Sequence, residues 1–261
     1  MRKLLSTFLA LLAICWLSGC VPQSIQRGQL LEQSSSRARQ SAKIHTELAA
    51  EYYNRGQLKV AMEEAADALQ ADPDYAPAYN VTGLIYMSLH KDILARNNFE
   101  HALKISPNDS EVHNNFGWFL CQRIPNKIDR AVEHFMMALN DPLYSTPEKS
   151  YTNAGICELK RDQYKTASVF FHKALSIQSM HSPALIGLIE VDLRSGDPVT
   201  AKSKLLRYMQ HSALTPESLW LAIQIERKIG DRYAEDSYVF QLQKYFPDSK
   251  EAAALREGGL K

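Results

Sequence analysis

The chain has 261 residues, 45% hydrophobic and 23% charged, and its 30 Lys and Arg against 29 Asp and Glu give a formal net charge of +1. That balance, with no basic run and no aromatic-basic strip, excludes an electrostatic nucleic-acid binder. The length fits one or two domains of ~100–200 residues, or one continuous solenoid whose size no single round core limits.

In chain order, residues 1–19 read as an export leader. Arg2 and Lys3 supply a short cationic start, and Leu4 to Leu17 is an almost unbroken apolar stretch, short for a membrane span. The segment Leu17-Ser18-Gly19-Cys20 resembles the bacterial lipobox. That resemblance implies cleavage before Cys20 and transfer of a diacylglyceryl group to its thiol, the one side chain nucleophilic enough to become a thioether. Cys20 is therefore the expected lipidation site, and several acyl chains on it would anchor the protein to a membrane where a single chain is marginal. Val21 and Pro22 follow, with no Asp at the second position after cleavage. By resemblance to sorted lipoproteins this implies the outer membrane, with the body facing the periplasm. Residues 20–41 are polar, rich in Ser and Gln, and lack helical apolar spacing; they read as a lipidated tether.

From residue 42 the sequence repeats itself. Ala61, Ala95, Ala131, Ala167 and Ala201 follow at spacings of 34, 36, 36 and 34, and Gly83 and Gly117, like Pro73 and Pro107, are 34 apart. This period resembles the tetratricopeptide repeat. The expected fold is all-α, a right-handed superhelical solenoid of about six helix-turn-helix repeats over residues 42–249. The repeats are placed at about 42–75, 76–109, 110–145, 148–181, 182–215 and 216–249, with a tail at 250–261. Small residues at Gly83 and Ala95 let antiparallel helices approach, and Tyr79, Tyr86 and Phe99 fill the space around that contact. Pro107 ends the pair because its nitrogen has no hydrogen to donate. The first repeat keeps Leu48, Ala49, Tyr52, Ala61 and Ala68, with Gly56 as its turn. The third keeps Phe116, Gly117, Ala131 and Phe135, with two extra residues in the Arg123–Lys127 turn. The fourth keeps Tyr151, Gly155, Ala167 and Phe171, and the fifth Leu185, Leu188, Ala201 and Leu205. The sixth is degenerate, retaining Leu219, Ala222 and Phe246. All of these read as packing residues.

A search for chemistry returns nothing catalytic. There is no His-Glu-x-x-His, no Gly-x-Ser-x-Gly elbow and no phosphate-cradling glycine loop. The histidines from His90 to His211 lie on different repeats without ligand spacing, and His134 is expected on a solvated face, so no metal or other cofactor is anticipated. No small-molecule substrate is implied, and the chain does not read as an enzyme. Once Cys15 leaves with the leader and Cys20 is acylated, Cys121 and Cys157 remain, 36 apart on the first helices of consecutive repeats. They are either two buried free thiols or, as expected in an oxidising periplasm, a disulfide.

Stacked first helices usually line the concave, peptide-binding face of this architecture. The register points Tyr53, Asn80, Leu84, Met87, Asn114, Trp118, Asn153 and Ile156 into such a groove. Asn offers both an amide donor and a carbonyl acceptor to a peptide backbone. Trp118 is the natural apolar anchor, unless it is tucked between helices of the third and fourth repeats. Lipobox, tether and six repeats together resemble the PilF/PilW pilotin family of type IV pilus biogenesis lipoproteins. Residues 78–121 and Asn153-Ala154-Gly155-Ile156-Cys157 carry the likeness to that family's second to fourth repeats. The resemblance implies a protein that binds the outer-membrane secretin and assists its localisation, multimer assembly or stability, and hence twitching motility. The competing expectation is a scaffold lipoprotein for another envelope assembly machine.

Overall fold

The computed structural model describes residues 23–258, and every regular element among them is a helix. In chain order these are α1 Gln23–Asn54, α2 Leu58–Ala71, α3 Ala76–Ser88, α4 Asp92–Ile105, α5 Ser110–Arg123, α6 Ile128–Leu139, α7 Pro147–Lys160, α8 Tyr164–Ile177, α9 Ser182–Arg194, α10 Pro198–His211, α11 Pro216–Ile229, α12 Arg232–Tyr245 and α13 Lys250–Arg256. They fall into two compact units, residues up to Ile85 and residues from Tyr86 onward.

The repeat is written in the backbone as well as in the side chains. Each of the six turns within a helix pair contains one left-handed residue: Gly56, His90, Asn126, Asp162, Gly196 and Gly230, with φ between 57° and 95°. From Gly56 to Gly196 their spacings are 34, 36, 36 and 34, those of the repeat alanines that follow them. Glycine takes this conformation freely, whereas His90 and Asp162 hold it against the clash of a Cβ. Pairs end where a proline stops the chain, as at Pro73, Pro107 and Pro247. Several helices begin on a side-chain cap that satisfies an otherwise orphaned amide: Asp109, Asp197, Asp231 and Ser249 accept from the residue three positions on, and Thr215 and Ser218 cap reciprocally.

The repeat alanines are the closest points of packing. Ala61, Ala95, Ala131, Ala167 and Ala201 are fully buried, as are Phe99, Phe135 and Phe171. Burying one such ring removes about 1.5–3 kcal/mol of apolar exposure. A Cβ on Gly117 would lie 2.8 Å from the Phe135 ring and 2.9 Å from the Ala131 carbonyl oxygen, so only glycine allows α5 and α6 to cross there. Phe171 is wedged still more tightly: a Cβ at Gly155 would come within 2.7 Å of its ring, and one at Gly187 within 2.3 Å. Within the second unit, ion pairs between consecutive helix pairs add an edge ladder. Arg123 binds Asp92 at 2.8 Å, Arg161 binds Asp129 at 2.6 Å and Arg194 binds Asp162 at 2.5 Å. The first two set a cation at a helix C-terminus against an acid at a helix N-terminus, the arrangement both dipoles favour.

Both ends depart from the sequence expectation. The segment from Gln23 to Gln40, read as an irregular tether, belongs to the 32-residue helix α1. Its packed half, where Ala42 and Ala49 are fully buried, supplies the nucleus. Extending a helix outward costs little once nucleated, and no proline interrupts the span. Leu48, expected in the core, is 39% exposed. At the other end α13 is a closing element: Ala252 and Leu255 pack against Leu219, Ile223 and Leu242, covering the last helix pair.

Candidate protein-binding groove

In the second unit the first helices of the third and fourth pairs, α5 and α7, lie side by side and are fastened at three levels. Near their N-termini the Asn114 side-chain oxygen, Oδ1, accepts from Ser150 Oγ at 2.9 Å and from Asn153 Nδ2 at 3.0 Å. Further along, Cys121 and Cys157 are joined by a disulfide whose Cα atoms are 6.0 Å apart. Beyond it, the Lys160 ammonium donates to the Cys121 carbonyl oxygen at 3.2 Å and to Gln122 Oε1 at 3.0 Å. Trp118 and Ile156 sit on the same two helices, each partly buried. A floor fastened in this way has little conformational freedom left to lose when a partner binds.

The predicted groove residues divide into two kinds. Trp118, Asn153 and Ile156 in the second unit retain partial exposure, as does Met87. Asn114 does not: it is 4% exposed, and its amide nitrogen donates to Asn115. The expectation that it holds a peptide backbone is therefore corrected; its side-chain oxygen is spent joining α5 to α7, and its amide nitrogen on a neighbour in α5. In the first unit, Asn80 is buried at 6% exposure. Tyr53 packs against the cluster of Ala49, Ala61, Ala65, Val81 and Ile85, and Leu84 is partly exposed. Cys20 lies outside the described residues.

One polar pair was missed. His113 on α5 and His134 on α6 are 6% and 8% exposed, and their Nδ1 atoms are 2.9 Å apart. His134 is thus not on a solvated face, and the two histidines share the third pair instead of lying on different repeats. Their tautomers follow from the Pro107 carbonyl oxygen, which lies 2.9 Å from His113 Nε2 and can only accept. His113 carries its hydrogen on Nε2, presents a bare Nδ1, and receives the Nδ1–H of His134. Burial, then His113, then Arg130 hold the His134 pKa down to about 4. The Phe116 ring packs on His134, its centroid 4.8 Å away, which adds to the desolvation.

The same two positions of the repeat meet elsewhere. His45 faces Glu64 in the first pair, and Tyr151 faces Phe170 in the fourth. Each partner lies three or four residues from the small residues at the helix crossing. The sequence signal that locates them is a separation of 19 residues, or 21 where the third turn is two residues longer.

Helix pairs of this kind, repeated at this period with alanine and glycine at the crossings, define a tetratricopeptide-repeat protein. No family model matches the chain. It is 33% identical in sequence to PilW, described as a widely conserved type IV pilus biogenesis factor; the match covers 83% of this chain and 98% of that one with a TM-score of 0.73. It is 24% identical to the type IV pilus assembly protein PilF of Pseudomonas aeruginosa over 235 residues, 90% of this chain and 91% of that protein. An uncharacterised Haemophilus influenzae protein is 30% identical over 140 residues, 54% of this chain and 73% of the relative. The chain belongs to the PilF/PilW family of type IV pilus biogenesis tetratricopeptide-repeat proteins.

Proposed function

We propose that this protein is an outer-membrane lipoprotein, acylated at Cys20 and facing the periplasm, that binds the type IV pilus secretin and promotes its localisation and multimer assembly or stability. The observation that carries the reading is the match to PilW over 98% of that chain at 33% identity. The fastened α5–α7 floor, with Trp118 and Ile156 beside it, supports a binding role. Among the described residues no helix is long and apolar enough to cross a membrane, so in this reading attachment falls to the acyl chains on Cys20. Capture at the membrane raises the local concentration of newly exported secretin subunits and covers their apolar surface until they oligomerise. No bond is made or broken, and no cofactor takes part.

The test is deletion and complementation in cells bearing pili. Deletion should abolish SDS-resistant secretin multimers and surface pili. Wild-type protein should restore both, while Cys20→Ala should neither incorporate a fatty-acid probe nor fractionate with the outer membrane. Secretin multimers at wild-type level in the deletion strain would overturn the assignment.

A further inference from the structure

We propose that His45, Glu64 and Asp67 form a binding site for a divalent cation of the zinc class at the α1–α2 edge of the first unit. His45 is on α1, and Glu64 and Asp67 are three residues apart on α2, so the two acids share one face of that helix. One ligand atom from each of the three residues lies within 4.8 Å of the other two. His45 Nδ1 is already 2.8 Å from Glu64 Oε2.

The placement follows from the packing beneath it. Ala42 and Ala49 flank His45 one turn to either side on α1, and Ala61, Ala65 and Ala68 line α2. All five are at most 1% exposed. Helices that meet through alanine approach closely, so short side chains along the edge of the contact reach one another without ordering long, flexible arms. The side chains of His45 and Glu64 are 33% and 22% exposed, and Asp67 is exposed. The site is therefore held on its protein side and open on its solvent side, which leaves positions for water in the coordination shell.

Charge and donor type select the ligand. The two carboxylates stand one turn apart on α2, His45 is within reach of both, and among the described residues Asp67 has no ion pair. A divalent cation removes that repulsion. One imidazole nitrogen with two carboxylate oxygens suits Zn²⁺ and its first-row neighbours, whereas Mg²⁺ and Ca²⁺ favour all-oxygen shells. The cation would replace the hydrogen between His45 Nδ1 and Glu64, so binding competes with protons and weakens as histidine becomes protonated. Its effect would be to pin α2 to α1, the helix through which the chain enters the fold.

The full-length protein in detergent, stripped with EDTA, is titrated with ZnCl₂ by calorimetry at pH 7.5, and its melting temperature is followed with and without the metal. The wild type should bind Zn²⁺ at this site and melt at a higher temperature when loaded. His45→Ala should lose that equivalent, or at least about tenfold in affinity, together with the thermal shift. His172→Ala, at an exposed histidine on α8, should behave as wild type. Asp67→Asn alters an exposed carboxylate that no packing depends on, so it reports even if His45→Ala folds poorly, and it should also weaken binding about tenfold or more. Wild-type Zn²⁺ affinity and stoichiometry in His45→Ala or Asp67→Asn, or loss of the bound equivalent in His172→Ala instead, would overturn the site.

Discussion

Acidification should loosen the third helix pair through His134. In the folded protein its pKa is held down to about 4, against 6.5 for a free histidine, by burial, the facing His113 and Arg130. The folded state therefore binds fewer protons than the unfolded chain between these values. The sign is that of any depressed group: the stabilisation is complete above pH 6.5, declines as pH falls, and is gone below about pH 4. At 1.36 kcal/mol per pKa unit the difference corresponds to about 3 kcal/mol, and solvent screening of the incompletely buried ring reduces the expected effect to about 2 kcal/mol. Urea unfolding of the wild type and of His134→Leu at pH 7.5, 6, 5 and 4 isolates this contribution, because carboxylates common to both proteins cancel in the difference. The wild type should be the more stable at pH 7.5, and its advantage should shrink by about 2 kcal/mol by pH 4. An advantage independent of pH, or a His134 ring that titrates near 6.5 by NMR, would refute the argument.

The remaining predictions concern packing and fastening. Gly187→Ala places a Cβ 2.3 Å from the Phe171 ring, so thermal melts should report an overpacking loss of about 1–3 kcal/mol; an unchanged midpoint would mean that the ring yields freely. Replacing Cys121 and Cys157 together with Ser opens a closure of 36 residues, for which chain entropy gives about 4 kcal/mol, and no free thiol should react with alkylating reagent in the unfolded, unreduced wild type. Asn114→Ala removes the acceptor shared by the fully buried Ser150 hydroxyl and the Asn153 amide and should cost about 1–3 kcal/mol in denaturant titrations; binding lost at full stability would restore the direct peptide-holding role.

The fold was legible because the repeat demands particular residues at fixed intervals. Ala131 and Gly117 announce a helix crossing on steric grounds alone, and both lie where that reading puts them. Less legible was whatever the repeat tolerates without requiring. His90, Asn126 and Asp162 occupy the left-handed turn position that Gly56, Gly196 and Gly230 make obvious; Asn, Asp and His are the side chains that enter that region most readily, but they are common elsewhere too and mark the turn only once the repeat register is known. Gly187 escaped notice because it answers to Phe171 of the preceding pair and not to the crossing within its own. His113 with His134, and His45 with Glu64, were readable in principle from their equal offsets about the crossing residues, but a search for contiguous ligand motifs passes over partners on opposite arms of a hairpin. The groove was legible only as a set of positions. Sequence placed Asn114 and Trp118 on one face, yet burial of the first and partial exposure of the second depend on the neighbouring helix.

In the proposed role the α5–α7 face engages the secretin, and the affinity of the Trp118→Ala protein for the secretin decides whether it does. The measurement is a titration of purified secretin periplasmic domains against immobilised wild-type and variant protein, with circular dichroism recorded on both. Truncating a central apolar anchor commonly costs about 2 kcal/mol or more, so affinity should fall more than about tenfold while helix content is unchanged. Undiminished secretin affinity in a folded Trp118→Ala protein would contradict the assignment of this face.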